Sequence, residues 1–351
     1  MSSKSTTILY IFTARRSFVN NDLNLLSESY NVTPYHFKTD VKWLTPWSFL
    51  RQFLFLLFLG WRYDVLISFF AGYHSVLPCL FAKLTGKKGI IILGGTDCFN
   101  YPSFHYGNFT KRWYGKTTCM SAQWASLLLP VSENLIESES RYYMVDSTKQ
   151  GIKVWCDNIK APYQVVPLEY DPTLFKRNET ERIANSFITV AFGIQGTSFI
   201  RKGIDKFIMA ARHFPGHRFT IVGSSKEDFP VDVPDNVVLV PPVPYTALVD
   251  LYNQHEFYLQ LSIAEGFPSA PCEAMLCECF PIASAVASMP GIVGDAGMLI
   301  QSIDDHVIIE GITIVLQHDR KEEIKKQARQ RIISKYGPGT RKLKWTEVLK
   351  A

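Results

Sequence analysis

The stretch that decides the fold is residues 257–275, FYLQLSIAEGFPSAPCEAM. Its apolar beginning predicts a buried strand, and the Gly and Pro residues that follow predict a loop. Ser269 is a favourable N-cap and Pro271 suits the first turn of a helix, so we expect strand, loop and helix in succession. The loop carries Glu265, and the second helical turn carries Glu273. The start of such a helix presents free N–H groups and a positive dipole to the space above the strand end.

Strand-like and helix-like segments alternate on both sides of this stretch. The strand-like segments are continuously apolar, which is typical of a parallel sheet covered on both faces. Strands are expected at residues 7–12, 32–37, 64–69, 89–93, 126–131, 163–167, 186–192, 218–222, 236–240, 257–261 and 281–283. Helices are expected at 21–30, 44–61, 74–84, 113–125, from 132 onward, and at 204–213, 246–253, 304–317, 320–336 and 340–351, with a loop at 291–297. The predicted fold class is α/β, with two doubly wound parallel-sheet domains that resemble Rossmann domains and face each other across a cleft.

The charges of the chain divide it into regions. Residues 1–165 hold 17 Lys and Arg against 10 Asp and Glu, residues 166–319 hold 9 against 19, and residues 320–351 hold 11 against 3. A basic first half, an acidic second half and a basic tail predict unlike partners for the two halves. Nucleic-acid binding would explain only the basic part. We expect a first domain at 1–165, a second at 166–336 and a terminal helix at 337–351.

The cysteines and the apolar runs of the sequence indicate in which cellular compartment the protein is expected. The seven cysteines are odd in number and contain no C-x-x-C pair, which predicts reduced thiols, a cytoplasmic location and no structural zinc. Residues 1–7 show no signal-peptide pattern. The longest apolar run, residues 53–59, is much shorter than the roughly 20 residues that a membrane span needs.

Charged residues are expected near the carboxyl ends of two strands of the second half. A glutamate near a helix start can accept hydrogen bonds from two neighbouring hydroxyl groups, such as those of a ribose. Arg201 and Lys202 begin another helix, where they would bind a diphosphate. The sequence contains no Asp-x-Asp motif, so no motif of this kind suggests a metal site.

These residues together resemble the donor site of a known family. The pattern Ser262-x-x-Glu265-Gly266-Phe267-Pro268-x4-Glu273-Ala274, with Arg201-Lys202-Gly203 before it, is similar to the signature of the retaining glycosyltransferases of family 4, also called group 1. The resemblance covers nearly the whole second half and extends loosely to Gly94-Gly95-Thr96-Asp97 in the first. It implies the GT-B fold, in which the last helix crosses back to the first domain.

The resemblance also implies roles for individual residues. Glu273 would hold the ribose of a UDP- or GDP-sugar, and Arg201 and Lys202 would stabilise the leaving diphosphate. The reaction would retain the anomeric configuration and need neither a metal nor another cofactor. The transferred sugar would be held by Glu265 and the loop after it, and the nucleotide base would lie at the turn that ends at Val243. The remaining donor-binding residues would be Gly266, Phe267, Pro268 and Ser269.

The sequence departs from the family pattern at three places. An Arg that usually follows the first strand of the second domain is replaced by Ile194, and an Asn-Gly turn by Leu168-Glu169. A His that usually contacts the donor sugar is replaced by the segment that ends at Asp97. Asp97 is therefore the candidate for the catalytic role of that His, and His105 is the second candidate.

The first domain is expected to choose the acceptor. Seven aromatic residues lie between positions 99 and 114, with Lys and Arg beside them, a composition that suits a sugar or a lipid-linked anionic group. Helix 44–61 carries Trp and Arg near its ends, as interfacial helices do, but a buried crossover helix would be equally apolar. The predicted acceptor is a lipid-linked or cell-envelope saccharide at the anionic inner face of the cell membrane. Its candidate contacts are Arg15, Arg16, Tyr101, His105 and Tyr106.

Two other functions fit the same fold. A nucleotide-sugar epimerase would act on the donor alone, and a non-catalytic protein would bind it without turnover. A dehydrogenase is disfavoured because no G-x-G-x-x-G follows the first strand.

Overall fold

The structure is a computed structural model that describes residues 6–39 and 42–350. Its strands are β1 (Thr7–Phe12), β2 (Asn31–His36), β3 (Val65–Phe69), β4 (Lys88–Leu93), β5 (Leu127–Pro130), β6 (Ser138–Glu139), β7 (Lys149–Gln150), β8 (Ile183–Val190), β9 (Arg218–Val222), β10 (Val237–Val240), β11 (His255–Gln260), β12 (Phe280–Ser284) and β13 (Met298–Ile300). Its helices are α1 (Ser17–Ser27), α2 (Thr45–Leu59), α3 (Tyr73–Thr85), α4 (Arg112–Trp124), α5 (Ile152–Trp155), α6 (Ser198–Arg201), α7 (Ile204–His213), α8 (Leu248–Gln254), α9 (Ser269–Leu276), α10 (Met289–Val293), α11 (Asp305–Leu316), α12 (Lys321–Tyr336) and α13 (Thr340–Lys350).

The first sheet is parallel and has the strand order β2-β1-β3-β4-β5. Alternate residues of β1 face opposite sides, so Ile8 and Tyr10 join the main core while Leu9 and Ile11 face a smaller cluster that includes Leu56 of α2. This continuous burial explains why the strands are apolar throughout.

The second sheet is parallel and has the order β10-β9-β8-β11-β12-β13. Its centre is aromatic, because Phe187 of β8 stacks on Phe219 of β9 and on Phe257 of β11 at 4.7 and 4.9 Å between ring centres. The parallel order brings the carboxyl ends of β8 and β11 to one edge, where ligands of such sheets bind. The predicted α/β fold of two Rossmann-like units is thus confirmed.

Helix α13 packs against the first sheet's unit, as the fold prediction requires. The guanidinium of Arg341 donates to both carboxylate oxygens of Asp22 in α1, at 2.5 and 2.8 Å, and both side chains are buried. The Asp22 carboxylate also accepts hydrogen bonds from the Tyr10 hydroxyl and from the Trp345 indole. The Glu169 carboxylate accepts a hydrogen bond from the backbone N–H of Arg341. The Leu168-Glu169 turn, which stands where the family has Asn-Gly, therefore stabilises the beginning of α13.

Several segments differ from the predictions. The helix expected from residue 132 is only a 3₁₀ turn, Glu133–Leu135, and the strand expected at 163–167 forms a single bridge from Tyr163 to Leu128. The loop expected at 291–297 begins inside α10. These segments are short, so local hydrogen bonds and tertiary contacts outweigh the intrinsic propensities that guided the prediction.

The prediction that all cysteines are reduced thiols is wrong. Cys119 of α4 and Cys156 are joined in a disulfide, while the other five cysteines are free and buried. The separation of 37 positions between the two partners hides their proximity from any local motif. Cysteine usage therefore no longer supports the predicted cytoplasmic location.

Candidate functional site

A cleft of about 620 Å³ lies between the two sheets, at the carboxyl ends of their strands. One wall is the amino-terminal part of α1, including Phe18 and Asn21. The other wall comes from the ends of β8 and β11 and the beginning of α9, and it contains Lys202, Glu265 and Glu273. The cleft therefore brings five of the predicted donor-site residues together, these three and Pro268 and Ser269.

The segment after β11 forms the predicted loop and helix, with one correction. Pro268 occupies the N-cap position of α9 and Ser269 is its first helical residue, so Ser269 is not the cap. The Ser269 hydroxyl instead accepts a hydrogen bond from the Tyr170 hydroxyl at 3.1 Å. Pro268 and Ser269 line the cleft, so the beginning of α9 presents its dipole to whatever binds there.

Glu273 is buried but reaches the cleft. Its two carboxylate oxygens accept hydrogen bonds from the hydroxyls of Tyr245 and Tyr252, at 3.0 and 3.1 Å. Each carboxylate oxygen can accept a second hydrogen bond, so the capacity to bind a diol remains. Burial raises the pKa of Glu273 to about 7, and the two tyrosine hydrogen bonds act in the opposite direction.

The pKa of Glu273 predicts a pH-dependent affinity for a ribose-containing ligand. The carboxylate accepts two hydroxyl hydrogen bonds, and the protonated acid loses part of this capacity. With a pKa of about 7, the ionised fraction falls about tenfold between pH 8 and pH 6. We expect the Kd for UDP-glucose, measured by calorimetry, to rise about tenfold over this interval. Its diphosphate diester does not titrate there, and Glu273→Gln should give a flat profile; a wild-type profile equally flat would contradict the assignment.

The two residues of the predicted Arg-Lys pair occupy different surroundings, since Lys202 lines the cleft and Arg201 does not. Lys202 lines the cleft, its ammonium donates to the Phe192 carbonyl, and burial lowers its pKa. The guanidinium of Arg201 lies 4.2 Å from the ring centre of Tyr106 and donates to the Ala264 carbonyl, away from the cleft lining. The catalytic contact predicted for Arg201 does not fit this geometry, because its charged end is covered by Tyr106.

The backbone conformation of Gly203 allows the neighbouring Lys202 to reach the cleft. Its φ of +68° is in the left-handed region, and a Cβ there would lie 2.1 Å from the Leu261 carbonyl oxygen. The chain can therefore turn tightly between α6 and α7 and pass directly against the end of β11.

The two halves of the protein meet through backbone at the edge of the cleft. A Cβ on Gly266 would lie 2.2 Å from the Gly94 carbonyl oxygen, and a Cβ on Gly95 would lie 2.7 Å from the Gly266 Cα. The loop after β4 thus packs against the loop after β11 without intervening side chains. Gly266 contributes to this contact rather than to the lining of the cleft.

Asp97 is fully buried and lies beneath this loop. Its Oδ2 accepts the N–H of Ala71 at 2.9 Å, and its Oδ1 accepts the N–H groups of Gly94 and Gly95 at 3.1 and 2.9 Å. Burial raises its pKa, and these backbone hydrogen bonds act in the opposite direction. Asp97 does not line the cleft, so its predicted catalytic contact is corrected to the positioning of the loop.

Asp97→Asn tests this positioning role. The amide keeps one acceptor oxygen but turns an NH₂ toward a backbone N–H, leaving that N–H without an acceptor. We expect the free energy of unfolding to fall by about 2 kcal/mol, measured by urea titration with tryptophan fluorescence. The exposed Asp157→Asn is the matched control and should have no effect. A stable Asp97→Asn variant with lost turnover would restore the catalytic interpretation.

Two predicted donor contacts lie away from the cleft lining. Phe267 stacks on Tyr170 and contacts Tyr336 edge-on, with ring centres 6.3 and 5.2 Å apart. Val243 is half-buried and is not part of the cleft wall. Both residues are partly buried and pack against the core, so their predicted direct contacts do not fit this geometry.

The candidate acceptor residues are dispersed. Arg15 and Arg16 are exposed before α1, and His105 is exposed with a φ of +49°. Tyr101 is buried and bridges to Tyr106, which covers Arg201. Among these residues, Arg16 alone borders a second cavity of about 330 Å³ at the carboxyl end of the first sheet.

The second cavity contains residues that the sequence did not single out. His74 of α3 is buried, and its Nε2 lies 2.8 Å from the Phe69 carbonyl oxygen. Burial lowers the pKa of His74 to about 4, so the ring is neutral at physiological pH and its Nδ1 is an acceptor. Within the described residues, Nδ1 has no hydrogen-bond partner. Tyr114 and Asn108 also border this cavity.

Other missed residues surround Glu273 and Glu265. Tyr245 and Tyr252 hold Glu273, and Gln260 donates to Glu265 at 3.2 Å. Gln260 was a detectable signal, because it is a polar residue inside an otherwise apolar strand.

Comparison with known proteins identifies the second half. Residues 192–331 match the model of the family described as glycosyl transferases group 1. The chain carries a glycosyltransferase group 1 domain. A protein of Klebsiella pneumoniae described as an uncharacterized 41.2 kDa protein in cps region is 27% identical over 274 residues, covering 74% of this chain and 72% of that protein.

Solved structures extend the similarity over both halves. Sucrose-phosphate synthase from Thermosynechococcus elongatus has a TM-score of 0.73 at 12% identity, covering 98% of each chain. HepE of Anabaena in complex with UDP and glucose has a TM-score of 0.70 at 14% identity, covering 98% of this chain and 99% of that one. A glycosyltransferase from Rickettsia africae has a TM-score of 0.66 at 14% identity, covering 99% and 98%. The glycosyltransferase group 1 domain therefore lies within a GT-B fold.

Over residues 6–39 and 42–350, no helix combines the length and apolar character needed to cross a bilayer. Over the same residues, no three His, Cys, Asp or Glu side chains are grouped so that they could hold a metal ion.

Proposed function

We propose that the protein is a retaining glycosyltransferase that moves a sugar from a nucleotide sugar to a lipid-linked or cell-envelope saccharide. The observation that carries this proposal is the single cleft in which Lys202, Glu265, Glu273 and the beginning of α9 lie together. A nucleotide sugar needs a diol acceptor, a cation for its diphosphate and hydrogen-bonding groups for its sugar, and this wall offers all three.

The proposed donor is a UDP- or GDP-sugar, bound chiefly by residues 166–336. Glu273 would accept the two ribose hydroxyls through the lone pairs that Tyr245 and Tyr252 leave free. The Anabaena protein similar to this chain was solved with UDP and glucose, which makes UDP-sugars the first donors to test.

The proposed reaction exchanges one C–O bond for another at the anomeric carbon. The bond to the diphosphate breaks, an acceptor hydroxyl forms the new bond on the same face, and the hydroxyl proton passes to the departing phosphate oxygen. Lys202 and the backbone N–H groups at the beginning of α9 would stabilise the charge that develops on the diphosphate. Glu265 would orient the sugar, and the proposed reaction needs no metal.

The proposed acceptor site lies on residues 1–165. The cavity bordered by Arg16 and His74 is next to the loop that meets Gly266, so an acceptor bound there would face the donor. His74 borders this cavity with a neutral ring. The Klebsiella relative is named for a cps region, which favours a polysaccharide precursor as acceptor.

The proposed location is the inner face of a cell membrane, where the protein would be a peripheral enzyme. The 17 basic and 10 acidic residues among positions 1–165 favour contact with anionic lipids. Residues 337–351 would add their positive charge to the same unit through the packing of α13 on α1.

The function is tested with radiolabelled nucleotide sugars and a membrane lipid extract. Transfer of label to lipid or saccharide supports the proposal. Isomerised donor without transfer would indicate an epimerase, and stable binding without turnover would indicate a binding protein; either result would overturn it.

Glu273→Ala tests the donor site itself. It removes both acceptors for the ribose, so we expect the Kd for UDP-glucose to rise about 100-fold, measured by calorimetry. The exposed Glu310→Ala on α11 is the matched control and should leave the Kd unchanged. An unchanged Kd in Glu273→Ala would show that the ribose binds elsewhere.

A further inference from the structure

Helix α2 turns its apolar side to solvent. Its buried stripe consists of Ser48, Gln52 and Leu56, two of which are polar. A row along the outer face, from two residues before α2 to two residues after it, includes six large apolar side chains that are each between 43% and 78% exposed: Trp43, Trp47, Leu50, Leu54, Phe58 and Trp61. Their spacing of three or four residues places them along one side of the helix.

Hydrogen bonds fix α2 in this orientation. The Ser48 hydroxyl donates to the Lys38 carbonyl at 2.9 Å, and the Gln52 amide donates to the His74 carbonyl at 2.9 Å. Rotating the helix to bury its apolar side would break both contacts and move Leu56 out of the core. The exposure is therefore a property of the folded chain.

Two neighbouring helices also carry exposed apolar side chains. Helix α3 packs between α2 and α4 on the same face of the first sheet. Leu84 at the end of α3 and Trp113 of α4 are 76% and 66% exposed. A single exposed Leu is ordinary, but a row of large exposed apolar side chains along one helix marks an interaction surface.

The charge of this surface indicates its partner. Residues 41–132 contain nine Lys and Arg but only two acidic residues, exposed Asp64 and buried Asp97. Exposed cations such as Arg62, Lys83 and Lys116 surround the apolar stripe. A protein partner with an apolar patch would not need a predominantly basic rim, but an anionic lipid surface matches both the apolar side chains and the excess of cations.

We propose that the outer face of α2, with Leu84 and Trp113, docks onto an anionic lipid bilayer. The helix would lie in the membrane plane, with its tryptophans at the level of the head groups and Leu50, Leu54 and Phe58 among the acyl chains. The proposal deepens, and rests on, the proposed membrane location, but it requires neither donor binding nor catalysis.

The docked orientation would connect the membrane to the second cavity. Phe49 of α2 contacts Tyr73, which contacts Tyr114 at 4.7 Å between ring centres, and Tyr114 borders that cavity. The amino end of α2 lies at the carboxyl edge of the sheet because α2 follows β2. A lipid-linked acceptor could thus remain in the bilayer while its saccharide enters the cavity.

Vesicle binding tests the surface. The wild-type protein is incubated with phosphatidylcholine vesicles, with and without phosphatidylglycerol, and its bound fraction is measured by sedimentation. We expect binding that strengthens with phosphatidylglycerol, together with a blue shift of tryptophan emission. The triple variant L50Q/L54Q/F58Q should bind about 100-fold more weakly. The paired control I314Q/L343Q changes exposed apolar residues outside the surface and should bind like the wild type.

A second variant separates charge from apolar insertion. Lys83→Glu combined with Lys116→Glu should weaken binding to anionic vesicles while leaving the weak binding to neutral vesicles unchanged. Thermal unfolding and the UDP-glucose Kd should stay at wild-type values in every variant, since none of these residues lines the donor cleft. Loss of donor binding in the wild type would contradict the proposed function without touching this inference.

Two results would overturn the inference. One is equal, negligible binding of the wild-type protein to both kinds of vesicle. The other is a concentration-dependent dimer, seen by light scattering, that the triple variant abolishes while vesicle binding persists; the occupant of the face would then be a second copy of this chain.

Discussion

Replacing Lys202 with alanine is expected to lower kcat about 10³-fold while raising the donor Kd less than about tenfold. The ammonium of the half-buried Lys202 lines the cleft and donates to the Phe192 carbonyl, so its charge is held at the cleft wall. The diphosphate gains negative charge as the sugar leaves, and the cation therefore contributes more to the transition state than to the ground state. Release of UDP from a UDP-sugar, with membrane lipid extract as acceptor, measures kcat, and calorimetry measures the Kd.

Lys206→Ala is the matched control, because Lys206 is a lysine of α7 that pairs with Asp305 near the surface at 2.7 Å. It should leave kcat and the donor Kd unchanged. Arg201→Ala should fall between the two variants, since Tyr106 covers its guanidinium. A Lys202→Ala variant with wild-type kcat would remove Lys202 from the proposed mechanism.

Arg341→Met is expected to lower the free energy of unfolding by about 3–5 kcal/mol. The substitution leaves the Asp22 carboxylate buried with only the Tyr10 hydroxyl and the Trp345 indole as partners. A buried carboxylate without its cation is costly because neither water nor an opposite charge compensates it. Urea titration followed by tryptophan fluorescence is well suited, because none of the seven tryptophans lies within residues 166–336.

The double variant Asp22→Leu with Arg341→Met removes both charges and should recover most of the loss. Lys342→Ala is the control on the neighbouring residue, whose ion pair with Glu28 is exposed, and it should leave unfolding unchanged. If the double variant is as unstable as Arg341→Met, the loss of unfolding free energy comes from packing around Trp345 rather than from the unpaired charge.

Much of the fold was predictable because the strands are buried on both faces. Strands β1 and β9 and helix α7 lie at the predicted residues, since their apolar periodicity is long and unambiguous. The disulfide between Cys119 and Cys156 was not predictable, because only the folded chain brings residues 37 positions apart together.

The candidate site was predictable on the donor side and less so on the acceptor side. Glu265 and Glu273 are positioned by one strand-loop-helix segment, which sequence spacing describes well. The buried placement of Asp97 was not predictable, because its partners are backbone N–H groups, which have no sequence signature. His74 was overlooked because a histidine inside an apolar helix usually signals packing rather than binding.

The exposure of the outer face of α2 could not be predicted from amino-acid composition. Residues 44–61 are apolar almost all round, so periodicity could not tell a buried crossover helix from an interfacial one. Which side of the helix is buried depends on the hydrogen-bond acceptors of the Ser48 and Gln52 side chains, and only the folded structure shows these acceptors.

The Arg341–Asp22 ion pair has a consequence for biosynthesis. Its two residues are 319 positions apart, so at roughly 5–20 residues per second the ribosome adds Arg341 roughly 15 to 60 s after Asp22. During this delay the first sheet's unit holds an acidic side chain without its cation, whereas the second sheet can form from strands that are close in sequence. The unit translated first is therefore expected to mature last, and a chain stalled before Arg341 should expose its amino-terminal half to chaperones and proteases.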